Sequence, residues 1–205
     1  MPDVLDQLKV LMDSSTPIVI VETVEETRAV RLVHAAASPL NLAVFEWTIA
    51  TGLVRCGDDV GASSQRFTPP TRAVANHSVE SNAQAIYNSR DPSQALSNLE
   101  AISTEAVFIL KDFHRHMADP VVVRKLRDVG QKFSSNRRTV VITAPAIEVP
   151  PELASLVEFL ELPLPDEPRL RQMVDEVFTR LSQGHDLRRT LDGTGLDAVA
   201  QNCAA

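Results

Sequence analysis

Four consecutive apolar residues, Val107, Phe108, Ile109 and Leu110, run directly into Lys111, Asp112, His114, Arg115 and His116. An apolar run of that length, without alternation and cut off by charge, reads as a strand buried on both faces, as parallel sheets require. Open α/β sheets keep their ligand sites beyond the carboxyl ends of such strands. The charged cluster is therefore the first place to look for chemistry, and the strand fixes the fold class around it.

The same pattern recurs along the chain. Residues 18–21 read as a first buried strand, ending at Glu22. The T-x-x-E sequence from Thr23 to Glu26 follows as a capping box, opening a helix with Ala29, Val30, Val33 and Ala37 on one face. Residues 40–48 read as the second strand, 106–111 as the third, 138–143 as the fourth and 157–162 as the fifth. Asp91 with Pro92, and Asp119 with Pro120, have the chemistry of helix starts. The first opens a helix with Ala95, Leu96, Leu99 and Ile102 inward, the second one with Val122, Val123, Leu126, Val129 and Phe133 inward.

Residues 52–75 hold three glycines and two prolines and read as a long irregular connection. A short helix is expected over 76–88, another over 151–155, a strongly amphipathic one over 166–181, and the beginning of one more over 196–203. Strand and helix alternate five times, so the expected architecture is α/β, a five-stranded parallel sheet with helices on both faces. Residues 1–16 form a lead-in helix, 17–165 the α/β domain, and 166–205 a helical region. The helix begun at 196 stops at Ala205 without a cap, as in the leading part of a longer protein.

Charge and composition narrow the function classes. The net charge is -7, which argues against a nucleic-acid surface and its basic stripe. Cys56 and Cys203 are far apart and form no C-x-x-C pair, as expected of a reduced, cytoplasmic chain. The N-terminus has no basic region followed by an apolar core, and no stretch approaches the length of a membrane span.

Several residues carry two readings each. Asp112, His114 and His116 offer oxygen and nitrogen ligands at close spacing, a metal cluster in one reading and a solvated strand-end loop in the other. In the first reading the chain is a small metal-dependent hydrolase, and Glu22 and Glu46 join Asp112 as a carboxylate set. In the second they are helix-cap and surface charges. Arg124, Lys125, Arg127, Lys132, Arg137 and Arg138 form the one dense basic patch, either solvated or facing an acidic neighbour. Trp47 is expected to pack at an end of the sheet; exposed, it would mark a partner site.

The five strand–helix units, ending in LPLPDEPRLRQMVDEVF over 162–178, resemble the core of an AAA ATPase passing from its last strand into a helical lid. Pro163, Pro165, Asp166 and Arg169 carry that junction. The phrases AVFILKDF (106–113) and RKLR (124–127) are similar to the N-terminal half of one group. These are AAA proteins known as hypothetical reading frames of algal plastids and cyanobacteria, with relatives in other bacteria. The resemblance covers most of 17–178. It implies a P-loop NTPase fold of AAA core type with the start of a lid. It also implies a complete ATPase module beyond residue 205, with its ATP and magnesium, and a homo-oligomeric whole.

The ATPase chemistry itself is expected to be missing. A phosphate loop needs glycines whose backbone N–H groups wrap the phosphates, and a lysine to meet their charge. At that position stand Glu22, Thr23, Glu25 and Glu26, carboxylates that repel a triphosphate. Where a magnesium-organising Asp-Glu pair should close the third strand, Lys111 takes the first position and Asp112 the second. Residues 139–168 contain no Arg or Lys to serve as an arginine finger, and Thr143 is the one sensor-like group. The expectation is a module without cofactor, regulatory or assembling in role, in which Lys111 contacts a carboxylate among Glu22, Glu25 and Glu26.

Overall fold

The apolar runs form the sheet, and the helix-start residues position what covers it. In the computed structural model the described residues are 4–56, 86, 88–163, 171 and 175. The chain divides into one unit spanning Met1–Leu162 and a second, Pro163–Ala205. In the first unit, helix α1 (Val4–Asp13) leads into strand β1 (Ile18–Glu22) and helix α2 (Glu26–Ala37). Strands β2 (Ala43–Thr48) and β3 (Gly52–Cys56) follow as a hairpin. Then come helix α3 (Pro92–Ala101), strand β4 (Ala106–Lys111), helix α4 (Pro120–Phe133), strand β5 (Arg138–Ala144) and the short strand β6 (Val157–Phe159).

The described residues form a sheet of six strands in the order β3-β2-β4-β5-β1-β6. Five run parallel, and β3 alone is antiparallel, added at the edge beside β2. Side chains alternate between two apolar layers, because successive residues of a strand point to opposite faces. Val19, Val21, Val44, Val107, Ile109 and Val141 share one layer with Leu8, Met12, Ala29 and Val33 of α1 and α2. Ile18, Ile20, Trp47, Phe108, Leu110 and Ile142 share the other with Leu96, Leu99, Leu126 and Phe133 of α3 and α4. Helices therefore cover both faces. Helix α1 is part of this body, since Leu8 and Met12 are fully buried in its core.

The Asp-Pro starts behave as their chemistry requires. Asp91 accepts the Gln94 N–H at 2.8 Å and Asp119 the Val121 N–H at 2.8 Å, each satisfying an N–H that the first turn leaves free. The capping box at Thr23 does not form. The Thr23 N–H is held by the Ala144 carbonyl at 2.8 Å, and its hydroxyl accepts from the Glu25 N–H at 2.9 Å. Those bonds keep the chain in a turn, so α2 begins at Glu26 with Glu25 as a cap that makes no side-chain bond.

The irregular connection expected from residue 52 is corrected at its start, since Gly52–Cys56 is a strand. Gly52 has φ +77°, and a Cβ there would sit 2.6 Å from Ser89 Oγ. That hydroxyl accepts from the Leu53 N–H, so the glycine serves a close approach at the hairpin rather than a loop. Residues 151–153 form a single 3₁₀ turn. The rest of the connection and the helices expected at 76–88, 166–181 and 196–203 lie outside the described residues, isolated positions apart.

Candidate functional site

The carboxyl ends of β1 and β4 are where a P-loop sheet handles phosphate and magnesium. In this chain each carboxylate beyond β1 has a partner inside the protein. Glu22 Oε1 accepts the Ile147 N–H at 2.8 Å, Glu25 pairs with Arg28 at 2.7 Å, and Glu26 lies 3.4 Å from the Lys111 ammonium. Of the three carboxylates expected around Lys111, Glu26 is the one that reaches it. The stronger partner is Glu46, at the end of β2, with Oε2 at 2.8 Å from Lys111 Nζ.

Glu46 is the hub of a larger cluster. Its other oxygen, Oε1, lies 3.0 Å from His34 Nε2 of α2 and accepts from the Cys56 thiol of β3 at 3.3 Å. The sheet register explains the meeting. Glu46 stands opposite Val54 and next to Ile109, so Cys56 is its diagonal neighbour and Lys111 lies two residues further along β4, all on the face that α2 covers. The hydrogen bond from His34, opposed by burial and aided by Lys111, holds the Glu46 carboxyl down at about 2. Burial, together with the Glu46 charge, pushes the Cys56 thiol up to about 12. Burial alone would lower the Lys111 amine, but Glu46 and Glu26 outweigh it and the amine lies above its ordinary value.

The other expected residues disperse. Asp112 adopts a left-handed conformation, φ 53°, and leads into the 3₁₀ turn Phe113–His116. His116 packs edge-on against Trp47, with ring centres 5.7 Å apart, and against Phe113. His114 Nδ1 is buried without a hydrogen-bond partner. Among the described residues Asp112, His114 and His116 do not converge into a three-ligand group, whereas His34, Glu46 and Cys56 do. Thr143 Oγ1 is buried and unpartnered, walled in beside Lys111 by the β4–β5 register.

The basic patch dissolves into local pairs. Arg124 meets Asp128, Lys132 meets Glu100, and Arg137 bridges Asp13 and Glu105. Lys125 donates to Ser97 and to the Ser93 carbonyl, fastening α4 to α3. Arg138 is buried, stacked 4.4 Å over the Phe133 ring and donating to the Ile102 carbonyl. Arg124 and Arg127 line an open groove, with Met117, Val123, Pro150 and Glu152. Trp47 is fully buried and its indole N–H donates to the Ser89 carbonyl.

In sequence, Glu46 reads with Glu22 and Asp112, as a carboxylate set or as surface charge, and nothing there joins His34 or Cys56 to it. The signal that could have joined them is the hairpin, since reading Gly52–Cys56 as a strand places Cys56 beside Glu46.

Magnesium-bound ATP does not fit the residues at this strand end. No glycine cradle follows β1, the Glu22 carboxylate already holds the backbone of 147, and an ammonium stands where a cation-binding carboxylate is needed. What the fold defines is an AAA-type α/β module of the P-loop class. The chain belongs to the family described as the SpoVK-like AAA ATPase N-terminal domain, whose model matches residues 4–162.

It is 26% identical over 202 residues to the AAA domain-containing protein ycf46 of Trieres chinensis, covering 97% of this chain and 34% of that protein. With the ycf46 protein of Guillardia theta the identity is 26% over 167 residues, 80% of this chain and 28% of the other. The chain thus spans about a third of the length of these relatives. Among solved structures it is similar in fold to a chain of the E. coli HORMA:CdnC:Trip13 complex, with TM-score 0.55 and 10% identity over 96% of this chain and 71% of that one. It is likewise similar to a Thermotoga maritima RuvB variant, with TM-score 0.54 and 11% identity over 97% and 55%.

Proposed function

We propose that the chain is a non-catalytic N-terminal module that regulates or assembles an AAA ATPase domain lying beyond residue 205. The observation that carries this reading is the filled strand end. At the positions where nucleotide and magnesium would be handled, Glu22 accepts from the Ile147 N–H, and Lys111 is paired with Glu26 and Glu46. A triphosphate would have to break the Lys111 pairs and meet three carboxylates, in a place without a glycine loop to wrap its phosphates.

ATP and magnesium belong, in this reading, to the following domain, and the working form is a cytoplasmic homo-oligomer of the whole protein. Among the described residues no helix is long and apolar enough to cross a membrane. Fold alone does not assign a role, so the test is functional. The 205-residue chain should release no phosphate from ATP above the rate without protein. In a protein joining it to its ATPase domain, removing residues 1–162 should alter assembly or regulation and leave hydrolysis intact. ATP turnover by the chain itself, diminished by Lys111→Ala, would overturn the reading.

A further inference from the structure

We propose that His34, Glu46 and Cys56 form a binding site for a divalent transition metal of the zinc class, independent of any nucleotide chemistry. The three ligand atoms come from three separate elements, α2, β2 and β3, and lie within 4.8 Å of one another. A tetrahedral zinc ion has bonds of about 2.0–2.3 Å, which place neighbouring ligand atoms about 3.3–3.6 Å apart. The observed separations are 3.0 Å from His34 Nε2 to Glu46 Oε1 and 3.3 Å from Cys56 Sγ to the same oxygen. The third side, His34 Nε2 to Cys56 Sγ, is at most 4.8 Å, so side-chain shifts of up to about 1 Å would close the triangle around an ion.

The donor set selects the class of metal. Thiol sulfur and imidazole nitrogen favour zinc and its neighbours over calcium or magnesium, which take oxygen ligands. Lys111 engages Oε2 and leaves Oε1 as a single-oxygen ligand; its ammonium repels the ion, and the thiolate with the Glu46 and Glu26 carboxylates offsets that repulsion. Charge also balances. With neutral thiol and imidazole, Lys111, Glu46 and Glu26 sum to one negative charge; a divalent ion that displaces the thiol proton brings the group to neutrality. On binding, that proton leaves to solvent and the imidazole proton resides on Nδ1, so the ion takes the place of the two hydrogens now directed at Oε1. The side chain of His34 is 11% exposed and that of Glu46 23%, which leaves a path for the ion and for a water as fourth ligand.

Cobalt is the probe, since a thiolate ligand gives a sulfur-to-cobalt charge-transfer band and tetrahedral geometry gives intense visible bands. Titrated into the metal-free 205-residue chain, cobalt should saturate at one equivalent with both signatures, and zinc should abolish them. Cys56→Ser, whose hydroxyl can still donate to Glu46, should lose the charge-transfer band and bind at least tenfold more weakly while its circular dichroism is unchanged. Cys203→Ser should retain the band. The proposal fails if micromolar cobalt or zinc does not bind, leaving Glu46 the centre of a hydrogen-bond network only, or if the band persists in Cys56→Ser.

Discussion

Glu46 and Trp47 are consecutive on β2 and project to opposite faces of the same strand end. Glu46 faces α2 and gathers His34, Cys56 and Lys111 around one carboxylate. Trp47 faces α3 and α4, is fully buried, and packs edge-on against Phe113 and His116. One pleat thus separates an ionisable cluster from an apolar one. The contrast shows that the strand end is ordered from both sides by the protein's own groups. On one face dispersion and burial do this, on the other charge.

Substitutions can break that contrast in order of expected size. Trp47→Ala removes the largest buried side chain and orphans the Ser89 carbonyl, and should lower stability by about 3–5 kcal/mol in urea unfolding. If it costs no more than a surface change, the aromatic face does not organise the strand end. Glu46→Ala leaves the partly buried Lys111 with Glu26 alone and should cost about 1–3 kcal/mol in the same assay. Glu46→Gln, which still offers an oxygen, should cost less than Glu46→Ala.

Acid sharpens the ionic side. The Glu46 carboxyl titrates at about 2 in the folded chain against 4.5 ordinarily, so its folded pKa is depressed. Its stabilisation is therefore complete above about pH 4.5 and is lost as pH falls toward 2. The stability gap between the metal-free chain and its Glu46→Gln variant should be constant near neutrality and shrink through that acid window. A gap that grows on acidification would contradict the pairing. The smallest effect belongs to Arg124→Ala, which deletes an exposed i,i+4 pair with Asp128 and should change stability by about 0–0.5 kcal/mol in thermal unfolding.

What was legible in the sequence follows the same division. The buried strands were readable because four-residue apolar runs leave few alternatives, and Asp91 and Asp119 were readable because a cap acts locally. The start of α2 was not, because the Thr23 N–H is held by Ala144, a bond made across the sheet. Strand β3 was hidden behind Gly52, whose positive φ serves a contact with Ser89 far along the chain. With β3 unread, Cys56 had no face, and the cluster around Glu46 could not be assembled. Arg138 looked like part of a basic patch because charge in sequence does not reveal burial over an aromatic ring such as Phe133.

In the proposed reading, the protein's own side chains close the end of this sheet to nucleotide. Calorimetric titration of magnesium-bound ATP into the 205-residue chain tests it most directly. No saturable heat is expected up to millimolar nucleotide. One ATP bound per chain at micromolar affinity, weakened by substitution of Lys111, would contradict it.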